Sequence, residues 1–153
     1  MTTPFVCTAR MVTLVCGPPL AGKSTYVNQH WTEGDIVWDQ DCIVRAITGL
    51  PLHEKGLGHY IGVVLGMREG FIRSLRAGEL KQGRAWFIIC GAKRADREYF
   101  RGVLQAEVVM LQPPIEVCLE RARKQERSRD VIAAIHNWFR EYEPSTMTTP
   151  FFS

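Results

Sequence analysis

Hydrophobic and polar positions along this chain switch repeatedly between a strand-like and a helix-like period. Met11-Val12-Thr13-Leu14-Val15-Cys16 is a short, nearly unbroken apolar run, as a strand buried on both faces has. After a glycine-rich loop, residues 24–31 continue as a helix, Glu33-Gly34-Asp35 makes a turn, and Ile36-Val37-Trp38 is a second short strand. Residues 41–48 have helical character, ended by Gly49 and Pro51, and residues 51–58 read as loop. From Tyr60 to Arg76 the apolar residues Ile61, Val64, Leu65, Ile72 and Leu75 recur at near-helical spacing, and Ala77-Gly78 closes that helix. Ala85-Trp86-Phe87-Ile88-Ile89-Cys90 is the third strand, residues 95–104 a helix, and Glu107-Val108-Val109-Met110-Leu111 the fourth strand. Pro113 and Pro114 open a helix over residues 115–124, and a final amphipathic helix over 131–142 precedes Pro144.

Strands alternating with helices predict an α/β fold, a parallel sheet of four to five strands with helices on both faces. With no long linker, residues 1–153 read as one domain whose ends, 1–10 and 145–153, are extended tails. Both tails carry the same pentapeptide, Met1-Thr2-Thr3-Pro4-Phe5 and Met147-Thr148-Thr149-Pro150-Phe151, too short for a structural repeat and read as coincidence. A hydrophobic content of 46% in 153 residues supports a real core. The formal charge of +3 is too small to establish a nucleic-acid partner and leaves an anionic substrate open.

Cys7, Cys16, Cys42, Cys90 and Cys118 are scattered and contain no C-x-x-C pair. Cys16, Cys90 and Cys118 lie in apolar segments, which predicts small buried hydrophobes in a reducing compartment. There is no secretory signal and no apolar run long enough to span a bilayer, so the expectation is a cytoplasmic protein with no membrane partner.

Chemistry concentrates in Gly17-Pro18-Pro19-Leu20-Ala21-Gly22-Lys23-Ser24, which matches the phosphate-binding loop G-x-x-x-x-G-K-[ST] at every fixed position. A strand before it and a helix after it complete an anion site: backbone N–H groups point inward, the helix dipole adds positive potential, and Lys23 brings a mobile charge. The cofactors this predicts are ATP and Mg²⁺, with Lys23 bridging the β- and γ-phosphates and the Ser24 hydroxyl on the metal. Thr25 either touches the α-phosphate or is simply a first-turn helix residue.

Asp39 and Asp41 follow the second strand, and the carboxyl ends of strands in an open parallel sheet face the ligand crevice. One carboxylate can organise magnesium-bound water and the other can accept a proton from an attacking hydroxyl; alternatively one of them, most naturally Asp41, caps the following helix. Arg45, one turn beyond Asp41, either holds an acceptor phosphate or makes a surface ion pair. Arg121, Arg123, Lys124, Arg127 and Arg129 crowd residues 121–130. That stretch is either a solvated charged face or a lid whose arginines neutralise charge on the transferring phosphoryl group. His30, His53, His59 and His136 show no metal-ligand spacing. Lys93 and Arg94, just after the third strand, either meet an anionic acceptor or lie on the surface.

Together these residues resemble the kinase domain of the bacteriophage polynucleotide kinases and, more loosely, other small P-loop kinases. The likeness covers residues 11–144 in element order. It is specific at the glycine loop, at Val37-Trp38-Asp39-Gln40-Asp41 with Arg45 beyond it, and at Pro113 to Arg121 with the closing segments 130–132 and 138–144. The resemblance implies a sheet order of 2-3-1-4, Asp41 as general base, Arg121 beside the nucleotide, and catalytic arginines in a lid. Arg45 follows Asp41 by four residues where that family has three, and Gln125 stands where its lid arginine would, leaving Arg123, Lys124 and Arg127 as substitutes. Cys90-Gly91 replaces the acid that commonly ends the third strand there, which points the metal role towards Asp39. Asp-x-Asp after the second strand also resembles shikimate kinase, although the glycine-rich stretch after that family's third strand is absent.

The expected activity is transfer of the γ-phosphate of ATP to a nucleotide or nucleic-acid acceptor, a 5′-hydroxyl being favoured. The alternatives are a nucleoside monophosphate kinase, a small-metabolite kinase, and an ATPase or nucleotide-binding protein with no acceptor. No N-K-x-D motif is present for a guanine-reading switch, and Ile88-Ile89-Cys90-Gly91 offers no acid for a motor ATPase.

Overall fold

A computed structural model describes residues 11–51, 57–145 and 150–151. The N-terminal tail with Cys7 and the first pentapeptide copy, most of the predicted 51–58 loop, and Met147 to Thr149 of the second copy lie outside the described residues. The elements in order are β1 (Val12–Cys16), α1 (Lys23–His30), β2 (Ile36–Trp38), α2 (Gln40–Thr48), a 3₁₀ turn (Leu57–His59), α3 (Ile61–Arg76), β3 (Ala85–Ile89), α4 (Arg94–Leu104), β4 (Glu107–Leu111), α5 (Ile115–Lys124), α6 (Arg129–Glu141) and β5 (Pro150–Phe151).

The sheet is parallel throughout, in the order β2-β3-β1-β4-β5. The expected order of the first four strands is therefore the one observed. A fifth strand comes from the segment read as a tail: Pro150 and Phe151 pair with Met110 and Leu111 at the β4 edge. Central β1 is buried along its whole length, with Val12 opposite Ala85 and Cys16 opposite Ile89 on β3. Its nearly unbroken apolar run follows from helices covering both faces.

One face of the sheet, through Leu14, Phe87 and Met110, packs on Val44 of α2, Val64 and Ile72 of α3, Phe100 of α4 and Trp138 of α6. The opposite face, through Val15, Trp86 and Leu111, packs on Val27 of α1. Cys118 and Ala122 of α5 meet Ile135 of α6 in a third apolar cluster. Two sequence expectations need correction here. Of the residues assigned to the apolar face of α3, Val64 and Ile72 are buried, whereas Ile61 and Leu65 are 38% and 37% exposed. Ile61 lies in the first turn and Leu65 at the margin of the stripe that runs through Val64, Arg68, Phe71 and Leu75. Cys16 and Cys118 are buried free thiols as expected, but Cys90 is exposed. It sits one residue past β3, where the chain has already left the sheet.

The carboxyl ends of β1, β2 and β3 lie side by side at one edge of the sheet. That edge brings the glycine loop, Asp39-Gln40-Asp41 and Cys90-Gly91 around one opening.

Candidate active site

The glycine loop leaves β1 at Gly17 and passes directly against β4. A Cβ on Gly17 would sit 2.4 Å from the Leu111 carbonyl oxygen, so only glycine fits without moving the strand. The loop then takes left-handed backbone at Leu20 (φ 64°) and Gly22 (φ 92°) and enters α1 with no side-chain cap. The first N–H groups of an α-helix have no partner within the helix, and here the first backbone bond is Tyr26 N–H to Gly22 O. The N–H groups of Lys23, Ser24 and Thr25 therefore remain for an anion. Lys23 lies folded onto the loop, its Nζ donating to the carbonyls of Gly17 and Pro18 at 2.8 Å each. Beneath it, burial pushes the Cys16 thiol up to about 12, against the opposing pull of Arg97 and Lys23. That sulfur is a neutral packing group at any physiological pH.

The two acidic residues after β2 divide their roles in a way the spacing did not indicate. Asp39, not Asp41, is the N-cap of α2: its backbone is extended, and its Oδ1 accepts the Asp41 N–H at 3.1 Å. Its other oxygen, Oδ2, accepts from Ser24 Oγ at 3.1 Å. This joins the end of the glycine loop to the start of α2 through two hard oxygen atoms. Asp41, in the first turn of α2, is exposed and lines the same opening. Burial first, and the charges of Asp39 and Asp41 after it, raise the Cys42 thiol, which registers the negative potential at this helix start. Arg45 is exposed and is not among the residues lining the opening.

On the opposite side, Arg121 of α5 donates from Nη1 to the Leu20 carbonyl at 3.0 Å, fastening α5 to the loop. Residues 121–130 are the end of α5, a short connection with left-handed Glu126, and the start of α6. Within this stretch the arginines separate. Arg121 and Arg127 line the opening, whereas Arg123 does not; its side chain is 76% exposed and ion-paired with Glu120.

The opening is a cleft of about 1480 Å³. A pocket for one small ligand is about 300–1,000 Å³, so the volume suits two ligands together. Loop residues 19–25, Asp39, Asp41, Arg121 and Arg127 all face it. The far wall was not anticipated: Arg68 of α3 and Asp96, Tyr99 and Phe100 of α4 complete the cleft. A signal for Arg68 was present in the sequence, a lone charge on the apolar stripe between Val64 and Ile72.

Ser24 Oγ and Asp39 Oδ2 fit Mg²⁺, which takes one or two protein oxygens and completes its shell with phosphate and water. Among the described residues, no group of three His, Cys, Asp or Glu side chains could hold a metal ion. Nor, among them, is any helix long and apolar enough to cross a membrane.

No family model matches this chain, and no curated protein matches it significantly. Among solved structures it is similar to the shikimate kinase from Acinetobacter baumannii in complex with shikimate, with a TM-score of 0.53 and 21% identity over 84% of this chain and 74% of that one. It is also similar to a chain of the Pnkp1/Rnl/Hen1 RNA repair complex, with a TM-score of 0.59 and 13% identity over 96% of this chain and 54% of that one. The chain thus spans about half the length of that neighbour. A gluconokinase from Sinorhizobium meliloti 1021 aligns with a TM-score of 0.48 and 16% identity over 90% of this chain and 78% of that one. At these identities the likeness is one of fold, the α/β fold of P-loop kinases.

Proposed function

We propose that this protein is an ATP-dependent phosphotransferase that moves the γ-phosphate to a hydroxyl of a nucleotide or polynucleotide, a 5′-hydroxyl being favoured. One observation carries the reading: Asp41 lines the same cleft as the glycine loop, next to an Asp39 that is hydrogen-bonded to Ser24. A carboxylate on that side of the triphosphate site can take the proton of a hydroxyl acceptor, a group that nucleotide storage does not need.

The residues divide the work. The loop N–H groups and Lys23 hold the β- and γ-phosphates, Lys23 exchanging its two loop carbonyls for phosphate oxygens. Ser24 and Asp39 would hold Mg²⁺, which supplies charge neutralisation at the phosphates when bound. Asp41 takes the proton of the attacking hydroxyl as its oxygen bonds to the γ-phosphorus and the bond to the bridging β–γ oxygen breaks, releasing ADP. Arg121 steadies the loop, and Arg127 faces charge that develops on the transferred group. Arg45 is the weaker candidate for contact with the acceptor, since it lies outside the cleft lining.

The test is Asp41→Asn assayed with labelled ATP against 5′-hydroxyl oligonucleotides, nucleosides, nucleoside monophosphates and small polyols. The substitution keeps size and hydrogen bonding but removes the base. Transfer to hydroxyl acceptors should fall about 10²–10⁴-fold with ATP affinity nearly unchanged. Full activity in Asp41→Asn, with monophosphates the only acceptors, would make the enzyme a nucleoside monophosphate kinase instead.

A further inference from the structure

We infer that the α3–α4 wall of the cleft is the acceptor subsite, with Arg68 taking a phosphate group of the acceptor and Tyr99 stacking on its base. The inference rests on the transfer reading above and names the acceptor class within it: a phosphate-bearing nucleotide with a free hydroxyl.

Arg97 and Arg68 each interrupt an apolar helix stripe, and they are used differently. Arg97 of α4 is 1% exposed and spends its donors on the protein itself, on the carbonyls of Gly91, Ala92 and Glu143 and on Ser145 Oγ. It is a structural clamp. Arg68 of α3 occupies the equivalent place between Val64 and Ile72, yet its Nε is enclosed and has no hydrogen-bond partner. Its guanidinium lies 5.2 Å from the centre of the Phe100 ring, and the side chain lines the cleft. A guanidinium resting against an aromatic ring loses less freedom when its fork of donors meets a phosphate.

Tyr99 lies beside it. Its ring stands edge-on to Phe100 at 5.1 Å between centres, lines the cleft, and is 55% exposed. Large aromatic rings exposed on a cleft wall are sequence-tolerant platforms for bases. Arg68, Phe100 and Tyr99 thus form one continuous wall that offers a cation and a stacking face. Asp41 opens onto the same cleft, whose volume exceeds a single ligand's need. With a triphosphate on the glycine loop, the volume leaves room for a second ligand in a cleft that Asp41 and this wall both line. A polyol acceptor has no planar group to place on Tyr99, whereas a nucleotide has both groups that the wall recognises.

The experiment is equilibrium binding by calorimetry of adenosine and of adenosine 3′-monophosphate to the full chain saturated with MgADP, so that no transfer occurs. The wild type should bind the 3′-monophosphate at least about tenfold tighter than adenosine, as a charge-assisted bidentate contact implies. Arg68→Gln should bring that ratio close to one while adenosine binding stays the same, and Arg68→Lys should keep part of it. Tyr99→Ala should weaken both ligands about tenfold, with Tyr99→Phe restoring them. MgADP affinity should be equal in all variants, which also reports that each is folded. A wild type that binds neither ligand or does not discriminate them, an Arg68→Gln that keeps the full ratio, or a Tyr99→Ala that binds adenosine as tightly overturns the subsite. Because the readout is binding, it is independent of Asp41. Loss of the transfer reading would show in the Asp41→Asn assay while these ratios stood, and loss of the subsite would show here while that assay succeeded.

Discussion

Arg97 is the residue on which the floor of the cleft depends. Its guanidinium ties the Gly91-Ala92 bend after β3 to the segment that follows α6, and it lies 5.4 Å from the centre of the Tyr142 ring. Arg97→Met would fill the volume but leave buried carbonyls without donors. A loss of about 2–4 kcal/mol is expected, measured by urea denaturation. Arg97→Lys should recover little, because an ammonium cannot span carbonyls from two directions. Cys90 illustrates the same geometry. Its carbonyl accepts from Gly17 N at 3.2 Å and from Trp138 Nε1 at 2.7 Å, linking β3, the glycine loop and α6, while its thiol is left exposed at the cleft. The apolar run that contains it gave no sign of that, because its last residue belongs to the loop.

At the scale of elements, the turn before β2 and the α5–α6 connection are the parts that conditions should move. Asp35, 7% exposed, accepts from Thr32 N, Arg84 N and Trp86 Nε1, pinning that turn to β3. Burial works to raise its carboxyl, but the hydrogen bonds from Trp86, Thr32 and Arg84 outweigh it and hold the group below its ordinary value of 3.8. A depressed folded value means that the stabilisation is complete above the unfolded value and is lost as pH falls through the folded one. Asp35→Asn should therefore be less stable than wild type at pH 7, by about 1–3 kcal/mol, and the gap should narrow below about pH 4. Chemical denaturation at pH 7, 5 and 3 checks this; a gap that widens with acid would contradict it. In the α5–α6 connection, Arg127 faces the cleft and Arg123 is paired with Glu120 outside it. Arg127→Ala should lower kcat at least about tenfold with little change in ATP affinity, whereas Arg123→Ala should be near wild type in both. Protease cleavage within 121–130 should slow when MgATP is bound, as it does for a segment that closes over a ligand.

For the molecule as a whole, the proposed triphosphate site would link ligand binding to folding, since the cleft is assembled from segments far apart in sequence. Saturation with MgATP at about 100 times its Kd should stabilise the protein by about 2.7 kcal/mol, roughly 5–10 °C in Tm for a domain of this size. Lys23→Ala should melt near wild type without nucleotide and gain little with it; equal gains in both would remove the glycine loop from the binding site. Element order through α6, the bounds of the first four strands to within a residue, and the glycine loop were legible in the sequence because each depends on a local pattern: apolar runs, proline and glycine stops, a motif of fixed spacing. What escaped depends on where a side chain points once distant segments pack. Only in the folded chain does Asp39 become both the cap of α2 and the partner of Ser24, while Arg123 turns out and Arg127 turns in. Arg68 and Tyr99 likewise become a cleft wall only through Phe100, which α4 carries against α3. Local sequence determined which elements form and what chemistry the first loop holds. Tertiary packing decided which charges share the cleft, because direction and distance between segments are set by how the helices seat on the sheet, and no spacing along the chain encodes that.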